Sequence, residues 1–467
     1  MTEPRGGLVQ LARGWLGRDE PALAADRTQF GWAELLARAA EAEAELAPFV
    51  QAGDAVGLCA ASGVGFVVLL LALNALQASV FPVHDGATDA ELARIAAHEG
   101  ARAVLHDRER PGLPWRDGAT LSVAGQPIAL RLVGPHAAAP GGPGLHLYTS
   151  GTEGKLKGVV RAEAALLAEA RSIVGMLGLR PGVRVLAAVP LSHAYGLGMG
   201  LLGPLAGGAT MVIEQPQTPR AFARCLEAHR PDIVIGVPAL YDLWSRGTGV
   251  APAGVARLCI SSGAPLPPSI AAAFTRAWGR PVARQYGMSE CGPVAIDLED
   301  RPEPGCAGRA YPGVAIAVEA EEIVVRTPSA ASGLVGGALE PPGSRVLRTG
   351  DRGWIDGEGR LFLAARRALQ INVHGRKLDP AEVEEAIRAG VAVRDVAVIG
   401  IPTPAGDDRV AALVAGDGVS VEDVEEACRA RLAAWKLPRQ VVIAAAVPRT
   451  AAGKPDRPRI LAALGSI

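Results

Sequence analysis

Leu147-Tyr148-Thr149-Ser150-Gly151-Thr152-Glu153-Gly154-Lys155-Leu156-Lys157-Gly158-Val159 gathers hydroxyls, glycines and two lysines into one short stretch. Backbone N–H groups and hydroxyls of such a loop can surround phosphate oxygens while the ammonium groups neutralise their charge. It is not a Walker loop, because Gly154-Lys155 is followed by Leu156, where Ser or Thr is required. The lysines are informative in themselves. Of 47 basic residues only five are Lys, namely Lys155, Lys157, Lys377, Lys436 and Lys454. A chain so biased toward Ala, Gly and Arg keeps Lys where a compact, movable point charge is needed, or, as Lys436 equally allows, on an ordinary surface.

Around that stretch, 467 residues exceed one ordinary core and imply two or three structural units. With 49% hydrophobic residues, 20% charged residues and a formal net charge of −1, the composition is that of a soluble globular protein. It excludes a nucleic-acid footprint and an acidic disordered tail. Cys59, Cys225, Cys259, Cys291, Cys306 and Cys428 form no C-x-x-C pair, which argues against a zinc knuckle or a disulfide framework and fits a reducing cytoplasm. The N-terminus, MTEPRGGLVQLARGWLGRDE, is charged throughout and lacks a signal peptide's apolar core. The apolar run Val64 to Val83 nearly reaches membrane-spanning length. It contains Asn74 and Gln77 and ends in Val80-Phe81-Pro82-Val83, so it reads as a buried helix followed by a core strand.

Helical and strand-like patterns alternate almost from end to end, the α/β signature. Helices are expected over Trp32 to Leu46, Asp89 to His98, Glu163 to Leu177, Pro380 to Ala389 and Val421 to Ala433. Strands are expected over Val183 to Val189, Thr210 to Ile213, Asp232 to Val237, Arg257 to Ser261 and Val396 to Ile401. Two Pro/Gly/Ala-rich stretches, His136 to Gly144 and Thr327 to Ser344, read as surface loops, the first leading into the phosphate-binding candidate.

Three further islands lie downstream: Gln285-Tyr286-Gly287-Met288-Ser289-Glu290, Arg348-Thr349-Gly350-Asp351 and Pro448-Arg449-Thr450-Ala451-Ala452-Gly453-Lys454. In order and spacing, the four motifs resemble the signature of the AMP-forming adenylate ligases: acyl- and aryl-CoA synthetases, nonribosomal-peptide adenylation domains and luciferases. The likeness spans nearly the whole chain and is nearest to coumarate-CoA-ligase-like sequences. It implies an α/β fold with a large N-terminal adenylate-forming domain, residues 1–367, and a small mobile α+β C-terminal lid, residues 368–467. It also implies a two-step reaction. A carboxylate attacks the α-phosphate of ATP and releases pyrophosphate; the lid then rotates and a thiol takes the acyl group from acyl-AMP.

Residue roles follow from the same resemblance. Lys454 reaches from the lid to the carboxylate and α-phosphate, where preorganised cations meet developing charge. Thr149, Ser150, Gly151, Thr152, Glu153, Gly154, Lys155 and Lys157 hold the departing phosphates. Asp351, helped by Arg366, takes the ribose hydroxyls; Tyr286 lies against adenine; Gln285, Gly287, Met288 and Ser289 complete that wall. Gly263-Ala264-Pro265 forms a turn between the nucleotide and acyl sites. His193 and Tyr195, with Gly263, Gln285, Gly287 and Pro293, line the acyl pocket, His193 in a positioning role. Glu290 and Thr152 offer Mg²⁺ the oxygen ligands it prefers. Gly375 and Lys377 are the thiol-tunnel and lid contacts.

Two departures stand out. Glu153 occupies a position that is usually Thr, where it either pairs with Lys155 or Lys157 or helps hold magnesium. Ala368 occupies the pivot, usually Asp or Lys. Free CoA is the expected acceptor because the chain ends at Ile467 without a carrier domain. A separate carrier protein's phosphopantetheine is the alternative, and a noncatalytic nucleotide-binding relative is the rival of another class. Beside the bulky side chain that closes the pocket in acetate-activating relatives, Gly287 implies room for a larger acid; a Gln285 amide turned inward favours a compact aromatic or short-to-medium acid with a polar group, whereas one turned to the backbone or adenine leaves the acid open. Lys454→Ala is expected to slow adenylation about a hundred- to a thousand-fold, the effect of losing one oxyanion donor. Supplied acyl-AMP is still expected to react with CoA; equal loss of both half-reactions in a folded variant refutes the two-state lid.

Overall fold

Helix Val64–Ala75 is apolar on every side, and its residues from Phe66 to Leu73 are buried, as a helix enclosed between layers requires. Strand Ser79–Pro82 follows it into the core, as expected from the sequence. Asn74 is the polar exception with a structural task. Its Oδ1 accepts the backbone N–H groups of Leu8 (3.1 Å) and Val9 (3.3 Å). Its Nδ2 donates to Glu163 Oε1 at 2.6 Å, and that oxygen also accepts the Gly7 N–H. The start of helix Gly7–Arg13 lacks a side-chain N-cap of its own, so Asn74 and Glu163 supply the acceptors its free N–H groups need.

The computed structural model describes residues 6–25, 28–150, 156–247, 256–299, 303, 305–341, 343–364, 371–373, 376–403, 408–432, 434–450 and 455–465. Among these, thirteen strands form the larger sheet. Its central strands Val282–Met288, Leu258–Ser261, Ile233–Gly236, Arg184–Ala187, Thr210–Ile213 and Leu23–Ala25 are parallel neighbours in that order. They are short and almost wholly buried, as parallel strands covered on both faces must be. At Val282–Met288 the sheet changes sense, pairing antiparallel with Gly292–Asp297. Cys306–Ala310, Leu361–Ala364, Val346–Ile355, Glu322–Arg326 and Ala315–Glu319 continue outward.

A second sheet of eight described strands holds the hairpin Gly144–Ser150 and Leu156–Ala162, in register from Gly144↔Ala162 to Ser150↔Leu156. Helices Trp32–Leu46 and Glu163–Leu177 begin and end where expected, while Asp89–Glu99 and Pro380–Gly390 run slightly further. Helix Val421–Arg429 stops short of Ala433. The N–H groups of Arg431 and Leu432 both return to Cys428 O, closing a tight turn that sends Leu432 toward the core beside Trp435 and Leu437. The Thr327 to Ser344 loop contains a short strand, Gly333–Leu334, that the sequence reading did not anticipate; it pairs with Val160 and Val159.

The small C-terminal unit has its own sheet. Asp395–Pro402 pairs antiparallel with Asp408–Ala415, which runs parallel to Gln440–Ala444. Val383, Ile387, Val396, Val398, Val410 and Val424 form its core. The expected boundary at residue 368 lies outside the described residues. No helix among the described residues is long and apolar enough to cross a membrane.

Replacing Asn74 by Leu is expected to leave the N–H groups of Leu8 and Val9 buried without an acceptor, costing about 1–3 kcal/mol. The check is a urea melt: a lower midpoint with an unchanged slope is expected, and an unmoved midpoint refutes the anchoring role.

Candidate active site

The hairpin delivers Lys157 to the turn that joins Val282–Met288 to Gly292–Asp297. Lys157 Nζ lies 2.5 Å from Glu290 Oε1, both side chains being partly exposed. The turn Ser289-Glu290-Cys291 is closed by the Cys291 N–H on Met288 O, and the left-handed Gly292 (φ 75°) carries the chain out of it. Of the remaining phosphate-loop candidates, Thr149 and Ser150 end the first strand of the hairpin. Gly151, Thr152, Glu153, Gly154 and Lys155 lie outside the described residues.

Three residues before Ser289, Tyr286 donates its hydroxyl to Asp351 Oδ2 at 2.7 Å. Asp351 is buried, and its approach is built by Thr349-Gly350. Thr349 Oγ1 donates to Ile323 O and accepts the Asp351 N–H, while Gly350 adopts φ 70°, a value that favours glycine. The Gly263 turn is fastened to the same strand: Ser262 Oγ donates to Gln285 O at 3.0 Å, and Gly263 adopts φ 84°. Ala264 and Pro265 follow at the surface side of that turn.

On the other side of the strand, Gln285 Oε1 accepts the Tyr311 hydroxyl at 2.7 Å, with Tyr311 fully buried. Adjacent strand residues alternate sides, so Tyr286 meets Asp351 while Gln285 meets Tyr311. The Gln285 carbonyl is therefore satisfied within the protein. Gly287 is glycine for a packing reason. A Cβ there would stand 2.7 Å from Gly292 O and 3.1 Å from Pro293 Cα, at the bulge between Tyr286 and Gly287. Its small size follows from backbone packing and carries no separate information on the size of the acid.

His193 precedes the short helix Ala194–Leu197 and stacks on His84, ring centroids 5.7 Å apart and inclined by 27°. Tyr195 donates to Ile260 O at 3.0 Å, and burial pushes its phenol well above the ordinary range. Cys291, beside Glu290, is pushed up to about 12 by burial; all six cysteines are buried and free. A thiol so rarely ionised is a poor nucleophile, so an acyl group has no enzyme cysteine to transfer to at this turn.

In the small unit, Arg449 grips Asp395 through two hydrogen bonds of 2.7 and 2.6 Å. Arg449 and Pro455 form a bridge, and the Asp456 N–H returns to Pro448 O, so the stem flanking Lys454 is closed. Lys454 itself, with Arg366, Ala368 and Gly375, lies outside the described residues. Lys377 belongs to the hairpin strand Arg376–Leu378, opposite Asn372. Lys436 pairs with Glu382 and sits 5.3 Å from the Trp435 ring centroid, the surface role its position allowed.

Sequence reasoning missed Arg161, Glu169, Tyr311 and His84. Arg161 interrupts the apolar run Gly158-Val159-Val160, and Glu169 sits on the buried stripe Leu166, Ala170, Ile173 and Leu177 of its helix. A charge on each of two apolar faces eight positions apart is a signal for a buried pair. Glu169 Oε2 and Arg161 Nη2 are 2.6 Å apart, with both side chains buried.

The AMP-binding enzyme family matches residues 16–335, and the AMP-binding enzyme C-terminal domain matches residues 382–454. A sulfoacetate–CoA ligase from Cupriavidus necator is 29% identical over 456 residues, 88% of this chain and 87% of that protein. A benzoate–CoA ligase from Thauera aromatica is 31% identical over 68% of this chain and 66% of its own length. A long-chain-fatty-acid–CoA ligase from Bacillus subtilis matches at 28% identity, but over only 60% of its length. Among solved structures, an anthranilate CoA ligase in complex with anthranoyl-AMP superposes with a TM-score of 0.82 at 22% identity, covering 98% of this chain and 97% of that one. The chain belongs to the AMP-binding enzyme family. Its curated relatives in that family are CoA ligases, and with them it is an AMP-forming ligase of the acyl- and aryl-CoA class.

Gly287→Ala is expected to strain the bulge by about 1–3 kcal/mol and to raise KM for small and large acids alike. A variant of normal melting temperature that discriminates more sharply against large acids would restore the pocket-size reading.

Proposed function

We propose that the chain joins ATP to a compact carboxylic acid bearing a hydrogen-bond acceptor, then passes the acyl group to CoA. In the first step a carboxylate oxygen bonds to the α-phosphorus and the bridging bond to the β-phosphate breaks, releasing pyrophosphate. In the second the thiol sulfur bonds to the acyl carbon, AMP leaves, and the thiol proton goes to solvent. The observation that carries this reading is the division of labour across strand Val282–Met288: Tyr286 with Asp351 on one side, Gln285 with Tyr311 on the other. Asp351 suits ribose hydroxyls, which donate to carboxylates. Gln285, its carbonyl already engaged, offers a substrate its amide N–H donors.

Lys157 on Glu290 supports a phosphate and cation site. The Glu290 carboxylate already receives one cation, the Lys157 ammonium, at 2.5 Å, and carboxylate oxygens are the donors Mg²⁺ takes. Glu290, with Thr152 from the loop, would hold Mg²⁺, which supplies charge neutralisation to the polyphosphate when bound. Lys157, Lys155 and the loop amides orient the phosphates, Glu153 beside them. His193, Tyr195, Gly263 and Pro293 shape the acid site, and Lys454 enters from the lid, residues 368–467, whose boundary and rotation belong to this proposal. CoA is preferred over a carrier protein because a relative aligned over most of its length is named a CoA ligase. The six free, buried cysteines suit a reducing cytoplasm.

Pyrophosphate release across benzoates, cinnamates and C4 to C12 acids, with and without CoA, tests the proposal. Acids with an acceptor group are expected to lead. Gln285→Leu is expected to lower their kcat/KM about tenfold, the weight of one hydrogen bond to a buried partner, and to spare purely apolar acids. Wild-type preference for dodecanoate overturns the acid assignment.

A further inference from the structure

Arg161 and Glu169 are buried behind the Ser289-Glu290-Cys291 turn. Arg161 is 0% exposed on strand Leu156–Ala162, four residues after Lys157. Its Nη2 pairs with Glu169 Oε2 at 2.6 Å, and its Nη1 donates to Ser289 O at 3.0 Å. The two terminal nitrogens thus span from helix Glu163–Leu177 to the turn that presents Glu290. Burial raises the Glu169 carboxyl above its ordinary range, an effect opposed by Arg161. A buried carboxylate and guanidinium of this kind are costly to desolvate, and a chain has simpler ways to fill such a space with apolar groups.

The surroundings of Glu169 show what the pair holds. A Cβ on Gly292 would stand 2.4 Å from Glu169 Oε1, and one on Gly198 would stand 2.2 Å from the same oxygen. Gly292 closes the Ser289-Glu290-Cys291 turn. Gly198 opens the π-helical turn Gly198–Leu202, directly after the helix Ala194–Leu197 that carries Tyr195. One carboxylate therefore packs against backbone of both the nucleotide side and the acid side of the site, while its guanidinium partner fixes the intervening turn through Ser289 O.

We propose that the buried Arg161–Glu169 pair is a positioning device that holds the Ser289–Glu290 turn at the height where the Glu290 carboxylate meets the nucleotide's cation. This rests on the reading of Glu290 given above. Lys157 alone cannot set that height. Its ammonium is partly exposed, and as a cation itself it must give way when another cation takes Glu290. Arg161 is independent of that exchange, because it bonds the backbone of the turn and keeps its own counter-charge.

The test uses two variants of the full chain. Arg161→Lys keeps the charge opposite Glu169 but loses the planar fork that reaches two acceptors at once. The double variant Arg161→Met with Glu169→Leu removes both charges together, the change that buried pairs tolerate best. Calorimetric binding of ATP, without acid and hence without turnover, is measured in Mg²⁺ and in EDTA, alongside pyrophosphate release and melting temperature. Both variants are expected to melt near wild type and to need about tenfold more Mg²⁺ for half-saturation, the weight of one charge-assisted hydrogen bond. Their ATP affinity in EDTA and their KM for the acid are expected to change less than about twofold, within the ordinary scatter of a neutral substitution. An unshifted Mg²⁺ dependence in either folded variant overturns the proposal. So does an equal loss of affinity for ATP in EDTA and for the acid, which would mark general loosening. A double variant that does not fold leaves Arg161→Lys to decide. Wild-type protein that binds ATP with the same affinity in Mg²⁺ and in EDTA would instead sink the Glu290 assignment.

Discussion

One strand of the smaller sheet places two cations on one turn of the larger sheet, and the active-site geometry depends on that clamp. Lys157 takes the Glu290 side chain and Arg161 takes the Ser289 carbonyl. The turn they hold is where the large sheet passes from parallel to antiparallel pairing. A parallel strand must be left through a long connection, whereas an antiparallel partner is reached in a few residues. The change of sense therefore creates a short, half-buried turn at the carboxyl end of a buried strand, in the position where open α/β sheets bind ligands. The clamp keeps that short turn from drifting while its side chains are used.

The same constraint explains why the glycines cluster there. Gly287, Gly292 and Gly198 each have backbone or carboxylate atoms where a Cβ would be, between 2.2 and 2.7 Å away. Close approach of backbone to backbone and of backbone to Glu169 lets three layers meet at one point: the hairpin, the strand pair and the helix carrying Tyr195. Removing any of these glycines would push the layers apart by the size of a methyl group, a distance that matters to hydrogen bonds of 2.5 to 3.0 Å such as those of Lys157 and Arg161.

Much of this was legible in the sequence, because the signals were local. Helices Trp32–Leu46 and Glu163–Leu177 follow from their periodicity, and Thr349-Gly350-Asp351, which lies within strand Val346–Ile355, is picked out as a motif by its hydroxyl, flexible residue and carboxylate in series. The pairing of Lys157 with Glu290 was not anticipated: 133 residues separate them, and the sequence reading assigned Lys157 to the phosphates or Glu153 and Glu290 to the cation. Arg161 with Glu169 was open to reading as a charge on each of two apolar faces, yet its meaning depends on Ser289, 128 residues away. Gln285 was expected to look for a polar partner in the acid. The partner its carbonyl found is Tyr311, a residue 26 positions on that no local pattern marked out. The end of helix Val421–Arg429 was misplaced for a related reason, as its last turn is shaped by where Leu432 must go in three dimensions.

The small C-terminal unit stands in a different relation to the clamp. Its core is self-contained, and hydrogen bonds link it to the large unit from Ser269 Oγ to Glu385 Oε2 at 2.9 Å and from Arg246 to Arg394 O at 2.7 Å. Such partly exposed polar links are individually weak, because water competes for each partner. The stem around Lys454, by contrast, is tied within the small unit by the two hydrogen bonds from Arg449 to Asp395. The large unit's turn is held instead by the buried Arg161 guanidinium on Ser289 O, so each unit fixes its own motif through bonds that do not cross to the other.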